Sequence, residues 1–213
     1  KPENASYTKL HYEVKNPEII TVSAKGKVTS LASGSTSVTI YSKDGNSKKT
    51  VRVKVAEGTI RTTTKGNVKG TKSSDAASLI WYGIPYGAST GGTNRWKAPQ
   101  PVSAWSGTWN ARIPKSGAAC YGDGTNYQGT EDCLYVNIYR PNTTEKNLPV
   151  MVYLHGGGNA SGTANTDFSK FAVAAKVVVV SVEYRLGAFG YLSHPALQTG
   201  TAEENSGNFT LLD

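Results

Sequence analysis

The segment of this chain whose residue types best suit a catalytic site is a histidine followed by three glycines. His155-Gly156-Gly157-Gly158 directly follows the apolar residues 148–154. Because glycine has no Cβ, this backbone can approach a ligand closely and turn its amides toward one point. Such amides stabilise the negative oxygen of a tetrahedral acyl intermediate, and one donor contributes about 3 kcal/mol. Taken alone, the triplet is equally typical of a flexible turn or a phosphate-binding nest.

A second candidate is the serine of Gly87-Ala88-Ser89-Thr90-Gly91, which matches the pattern Gly-x-Ser-x-Gly. The nucleophile of that pattern sits on a tight turn between a buried strand and a helix, and its acid and histidine partners come later in the chain. Here a further glycine and then the proline-rich residues 97–101 follow, and these cannot start a helix promptly. We therefore predict that Ser89 is not a nucleophile.

The apolar pattern around the glycine triplet predicts an α/β unit. Residues 148–154 and 177–182 are nearly continuous apolar runs, as expected of strands buried on both faces of a sheet that helices cover. Residues 168–175 have the spacing of a helix, so the three segments fit one strand-helix-strand crossover. The triplet then lies at the carboxyl end of a strand, where open α/β sheets bind ligands.

The first part of the chain has another architecture. Short β-branched runs alternate with turns between residues 12 and 55, and residues 51–55 alternate apolar with polar side chains. We predict a small all-β sandwich at residues 1–58, a linker or first crossing at residues 59–72, and the α/β unit at residues 73–213.

The positive charge belongs to the first 72 residues, the first module and the linker together. Residues 1–72 hold 14 Lys/Arg and 5 Asp/Glu, a balance of +9, whereas residues 73–213 hold 9 and 10, a balance of −1. The lysines are spread over short strand-like runs without interleaved aromatic residues, so we predict no nucleic-acid binding. A solvated sheet edge or contact with an anionic cell wall explains the charge instead.

Cys120 and Cys133 are the two cysteines of the chain, and no histidine lies between them. A metal site would need more ligands nearby, so neither a metal nor another cofactor is predicted. The two residues are either free thiols of a cytosolic protein or a disulfide across about 14 residues, worth roughly 3 kcal/mol. We favour the disulfide, which indicates an oxidising compartment and hence a secreted or cell-surface protein.

Two family resemblances refine these expectations. Residues 16–22, 26–29 and 34–40 resemble, in order and spacing, the landmarks of a group 2 bacterial immunoglobulin-like domain, which implies that the first module is a partial domain of this kind. Most of residues 66–213 resembles the amino-terminal part of type-B carboxylesterases, the family that includes cholinesterases, and this implies the amino-terminal part of an α/β-hydrolase sheet. The landmarks are residues 68–70, 82–87, 95–101, 105–107, 131–139, the glycine loop, 184–190 and 207–213.

The second resemblance assigns roles to the loop. It implies that Gly157 and Gly158 supply the two amides of an oxyanion hole, with Gly156 and His155 as support. The family commonly places an aromatic residue after the glycines, whereas this chain has Asn159. We therefore expect one wall of the acyl pocket, at Asn159, to be smaller or more polar than in the family.

The resemblance also implies structural pairs and the place of the missing nucleophile. The pairs are a Cys120–Cys133 disulfide and the ion pairs Arg95–Glu131 and Arg185–Asp213. In the family order the nucleophile follows the last landmark, and its acid and histidine partners come later still, so all three are expected beyond Asp213. The three histidines of this chain are interpreted as structural: His11, His155 and His194.

The leading hypothesis is an amino-terminal part of a secreted serine carboxylesterase that acts on carboxylic esters through an acyl-enzyme and is inactive by itself. Its partners would be an ester substrate and the remaining carboxyl-terminal part of the esterase, either in the same chain or as a separate, nicked chain. The alternative is a non-catalytic adhesion or cell-surface binding protein on an esterase-like scaffold.

Overall fold

The computed structural model describes residues 10–31, 34–42, 46–55, 58–121 and 127–213. They fall into two compact units. One holds the described residues up to Gly58 together with Asn142–Lys146, and the other holds Thr59–Pro141 and Asn147–Asp213. Among these residues, no helix has both the length and the apolar character needed to cross a membrane.

The first unit is built from five short strands, which confirms the predicted all-β module. Strands β1, β4 and β5 form an antiparallel sheet with β4 in the centre, and β2 pairs with β3. Its buried core is Ile19, Ile20 and Val38. The strands are β1 (Leu10–Val14), β2 (Ile20–Val22), β3 (Val28–Ser30), β4 (Gly34–Ser42) and β5 (Lys48–Val55).

The second unit contains a five-stranded sheet in the order β14-β15-β13-β9-β8 and several short strands beside it. Its strands are β6 (Ile60–Thr63), β7 (Gly66–Lys69), β8 (Thr71–Lys72), β9 (Ser78–Pro85), β10 (Thr108–Asn110), β11 (Cys120–Tyr121), β12 (Tyr127–Gln128), β13 (Tyr135–Pro141), β14 (Val150–Leu154) and β15 (Val178–Val182). Its helices are α1 (Ser169–Ala175), α2 (Gly187–Gly190), α3 (Ala202–Asn205) and α4 (Phe209–Leu212), with 3-10 turns at Gly92–Asn94 and Pro195–Leu197.

Residues 59–72, predicted as a linker or first crossing, hold the short strands β6, β7 and β8 and group with the second unit. Val68 is 1% exposed and packs with Leu79 and Trp81. Strands this short bury few apolar side chains each, so the sequence pattern there resembles that of a connection.

The predicted crossover is present. Strands β14 and β15 pair in parallel, α1 connects them, and Ala172 of α1 packs against Tyr139 and Val179 on one face of the sheet. The other face of β14 corrects the prediction of burial on both sides. Val150, Val152 and Leu154 are each more than 60% exposed there, because the apolar core around α1 packs against the opposite face, which carries Met151 and Tyr153.

Candidate active site

The glycine loop begins where β14 ends, at the carboxyl end of the parallel pair. Its tight turn is closed by the Gly157 carbonyl, which accepts the amides of Ala160 at 3.1 Å and Ser161 at 3.2 Å. Gly157 has φ +131°, and a Cβ at this position would lie 1.9 Å from the Ser161 carbonyl oxygen. The turn therefore requires glycine at position 157.

The amides of Gly157 and Gly158 are available to a ligand. Both residues are exposed, and within the described chain neither amide donates a hydrogen bond to a protein acceptor. Gly158 has φ +61° and open space on its side-chain side. The following residue, Asn159, is exposed, and its carbonyl accepts the Gly187 amide at 2.7 Å, which ties the loop to the start of α2.

The His155 side chain at the start of the loop is held by contacts with its neighbours. Its ring is stacked on Tyr184 with centroids 4.3 Å apart and planes 6° from parallel, and the Tyr184 hydroxyl donates to the His155 carbonyl oxygen. The ring atom Nδ1 lies 3.0 Å from the Gly156 carbonyl oxygen. The other ring nitrogen, Nε2, lies 3.4 Å from Glu183 Oε1 without reaching hydrogen-bond geometry, so that contact is electrostatic.

The Glu183 side chain contacts residues of several segments around the loop. Its carboxylate is buried, with 5% of the side chain exposed. It accepts the Ala118 amide at 3.2 Å on Oε1, and on Oε2 it accepts the Ala164 amide at 2.8 Å and the Thr163 hydroxyl at 3.0 Å. A buried carboxylate is retained when hydrogen bonds and a cation satisfy it, and Glu183 therefore favours a protonated His155.

Opposing effects determine the pKa of His155. Burial alone lowers the pKa, whereas the Glu183 carboxylate and the Gly156 carbonyl oxygen raise it, and the net pKa lies above that of an ordinary histidine. Since the folded state binds this proton more tightly than the unfolded state, the contact stabilises the fold fully below the unfolded pKa of about 6.5. That stability is lost as the pH rises through the raised folded pKa.

We accordingly expect the free energy of unfolding of the second unit to fall across that pH window, and His155→Gln to remove this fall. Tryptophan fluorescence during urea unfolding measures it, because all the tryptophans of the chain lie in the second unit: Trp81, Trp96, Trp105 and Trp109. The same pH slope in wild type and variant would contradict the assignment to His155.

Sequence reasoning missed Glu183 and gave Tyr184 no role. The signal was the parallel register, in which Leu154 lies beside Val182 and the next residues of both strands, His155 and Glu183, meet at the sheet edge. A buried strand that ends in glutamate, next to one that ends in histidine, predicts this contact once the two strands are known to be neighbours.

Both ion pairs expected from the resemblance are present, and they differ in burial. Arg185 and Asp213 have side chains that are 2% and 0% exposed, and Arg185 Nη2 lies 2.5 Å from Asp213 Oδ1. Arg185 also donates through Nη1 to the Lys97 carbonyl oxygen at 2.8 Å. The Arg95–Glu131 pair has a separation of 2.5 Å, but its arginine side chain is 41% exposed.

Of the two predicted disulfide partners, Cys133 is a free and completely buried cysteine in the described structure, and burial raises the pKa of its thiol to about 12. The side chain of Cys120 lies outside the described residues, so the Cys120–Cys133 disulfide stays a prediction. We expect peptide mapping without reductant to recover the linked pair. Reduction should lower the free energy of unfolding by roughly 3 kcal/mol. Alkylation of both cysteines in unreduced, denatured protein would exclude the bridge.

Ser89 lies in an irregular segment between β9 and the 3-10 turn Gly92–Asn94, with no strand-turn-helix arrangement around it. Its hydrogen bonds in the described structure are local: its carbonyl accepts from Asn94, and its Oγ accepts from the Gly91 amide at 3.5 Å. Of the other histidines, His194 caps the turn Pro195–Leu197 by accepting the Ala196 amide, and His11 lies on β1 of the first unit.

Comparisons with known proteins identify both parts of the chain. The model of the carboxylesterase family matches residues 56–213, and that of the bacterial Ig-like domain (group 2) matches residues 1–53. The chain is 39% identical over 163 residues to para-nitrobenzyl esterase of Bacillus subtilis and 38% identical over 163 residues to fumonisin B1 esterase of Sphingopyxis macrogoltabida. These alignments cover 72% of this chain but 32% and 29% of the relatives.

Solved structures agree with the sequence comparisons. A PNB esterase structure superposes with a TM-score of 0.62 at 39% identity, over 72% of this chain and 32% of that protein. The chain thus spans about a third of the length of the relatives it matches. From residue 56 onward this chain belongs to the carboxylesterase family of α/β-hydrolases, and a group 2 bacterial immunoglobulin-like domain precedes that part.

Proposed function

We propose that this chain supplies the oxyanion loop of a serine carboxylesterase. The observation that carries the proposal is the pair of exposed, unpaired amides of Gly157 and Gly158 at the carboxyl end of a parallel strand. Membership of the carboxylesterase family supports ester hydrolysis as the reaction. In the proposed enzyme the serine, its acid and its histidine come from sequence that follows the last family landmark, residues 207–213.

The proposed reaction uses the loop twice. The serine oxygen attacks the ester carbonyl carbon and gives up its proton to the histidine, and the carbonyl electron pair moves onto the oxygen that the two amides hold. Collapse of this intermediate expels the alcohol, which takes the proton, and leaves an acyl-enzyme. Water then gives a proton to the histidine and attacks the acyl carbon, which forms a second intermediate held by the same amides; the histidine returns the proton to the serine oxygen as the acid leaves.

The support beneath the loop fits this role. The amides can stabilise a developing charge only if they do not move during the reaction. The Tyr184 ring and hydroxyl and the Glu183 carboxylate hold His155 at the start of the loop, and the Asn159–Gly187 hydrogen bond holds its end. The proposed substrate class is carboxylic esters whose acyl group fits beside the exposed, polar side chain of Asn159.

The test is hydrolysis of para-nitrophenyl acetate by two proteins: this chain alone, and a longer protein in which it is joined to the rest of a carboxylesterase domain. We expect turnover by the longer protein and none above background by the chain alone. Ser89→Ala should leave the activity of the longer protein unchanged. Turnover by the chain alone that Ser89→Ala abolishes would overturn the proposal, as would an inactive but folded longer protein.

We also propose that the protein works outside the cytosol, at the cell surface or in the medium. The disulfide expected between Cys120 and Cys133 supports this location, since such bridges persist in oxidising compartments. Fractionation of producing cells, with detection of the chain in cytosol, envelope and medium, tests it. Recovery in the cytosol alone would contradict it.

A further inference from the structure

The sheet of the first unit has two unlike faces. One face packs against the core through Val38, Val53 and other apolar side chains. The opposite face of the central strand β4 presents hydroxyl groups at alternate positions, namely Ser35, Ser37, Thr39 and Tyr41. The Thr39 and Thr50 hydroxyl oxygens are 3.1 Å apart, which shows that alternate residues of β5 lie on this same face.

Cations flank the hydroxyl row on both sides. Arg52 of β5 lies beside Ser37 in the register, and Lys15 lies on the other side, where its amide donates to the Ser37 carbonyl oxygen at 3.0 Å. Since neighbouring strands are about 4.8 Å apart, the two cationic residues leave the backbone roughly 10 Å from each other across Ser37. Lys54 and Lys48 extend the row along β5 at the same alternation, beside Ser35 and Tyr41.

This face carries a positive charge that the described residues of the protein do not neutralise. Among its described side chains, four are cationic (Lys15, Lys48, Arg52 and Lys54) and one is acidic, Glu13, which gives a balance of +3. Glu13 accepts the Tyr41 hydroxyl at 2.8 Å. Within the described chain none of the four cations has a carboxylate within ion-pair distance.

The cations and hydroxyls line a wide-open cavity of about 430 Å³, whose lining includes Lys15, Arg52, Ser35, Ser37 and Thr50. A guanidinium binds a carboxylate through two parallel hydrogen bonds. Serine and threonine hydroxyls both donate and accept, as sugar hydroxyls do. The cavity therefore offers complementary groups for a sugar that bears a carboxylate.

We propose that this face of the immunoglobulin-like unit binds an acidic polysaccharide, a glycan chain whose sugars carry carboxylates. The cationic residues on β5 span residues 48–54, about 20 Å of extended strand, which suits a polymer better than a small acid. A single-stranded nucleic acid would need exposed aromatic rings for its bases to stack on. The rings on this face, those of His11 and Tyr41, lie beside each other, and neither lines the cavity between Lys15 and Arg52, where hydroxyl groups take their place.

The test is titration of the purified chain with fluorescently labelled polygalacturonate, comparing wild type with the double variant Lys15→Gln/Arg52→Gln. The matched control is Lys25→Gln/Lys27→Gln, which removes the same charge from exposed positions next to β3. We expect the Lys15/Arg52 variant to bind about tenfold more weakly or worse, the loss of one or two charge-assisted hydrogen bonds, and the control to keep its affinity within about twofold. Added salt should weaken wild-type binding, because the charges are exposed.

Two checks of folding and two competing ligands complete the test. Circular dichroism and thermal midpoints establish that the variants are folded, and the single variant Arg52→Gln serves if the double variant is not. Equal loss in the two double variants would show general charge attraction and overturn the proposal, as would the absence of wild-type binding. Tighter binding of single-stranded DNA, or equal binding of neutral dextran, would overturn it in favour of another ligand.

Discussion

Gly157→Ala is expected to reduce the kcat of the complete esterase by about 10²- to 10³-fold, the effect of losing an oxyanion-hole donor. A methyl group at this position would lie 1.9 Å from the Ser161 carbonyl oxygen, on a backbone with φ +131°. The turn must open to admit it, and both free amides move with the turn. In this chain alone the same change should speed hydrogen exchange at the amides of Ala160 and Ser161, which the Gly157 carbonyl holds.

The matched control is the neighbouring glycine. Gly156→Ala adds the same methyl group where no atom lies within 4 Å, and Gly156 has no positive φ. We expect its kcat to stay within a few-fold of wild type and the loop amides to keep their exchange rates. Equal losses in the two variants would show that the loop tolerates no change at all, and no loss in either would remove the loop from the chemistry.

Arg185→Met is expected to lower the free energy of unfolding of the second unit by about 3–5 kcal/mol. Methionine keeps the apolar stem of the side chain but leaves the carboxylate of Asp213, which is 0% exposed, without its cation. It also removes the donor to the Lys97 carbonyl oxygen. Urea unfolding followed by tryptophan fluorescence measures the loss.

Arg95→Met is the control for this change, because Arg95 forms the other ion pair with the same short separation. Its side chain is 41% exposed, and exposed ion pairs contribute about 1 kcal/mol or less, since water and salt screen them. A loss at Arg95 as large as that at Arg185 would show that burial does not govern these pairs.

The sequence predicted those parts of the candidate site that depend on local pattern. The apolar run of β14, the helical spacing of α1 and the apolar run of β15 sufficed for the crossover, and a glycine triplet after the first run sufficed for the loop. Glu183 escaped prediction because its role depends on which strands are neighbours. A glutamate after an apolar run is ordinary until the parallel register brings it to His155.

Two other differences between the predictions from sequence and the structure have the same origin. Strands β6, β7 and β8 are too short to bury a repeated set of apolar side chains, so their segment had the composition of a connection. The apolar run of β14 indicated burial on both faces, but burial also depends on what packs against a strand, and only one face of β14 meets α1. The residue pattern of a strand indicates which of its side chains favour burial. The elements that pack against the strand determine which of them are buried.

The exposed side of β14 has a consequence for the solubility of the chain. Val150–Leu154 is a run of five uncharged residues with high strand propensity, and it lies at the open edge of the described sheet. Such segments template aggregation by pairing with identical strands of other molecules. Pro149 precedes the run and three glycines follow His155, and both residue types interrupt the stacking of strands into fibrils. The loop that presents the oxyanion amides thus also limits the length of the segment that could assemble.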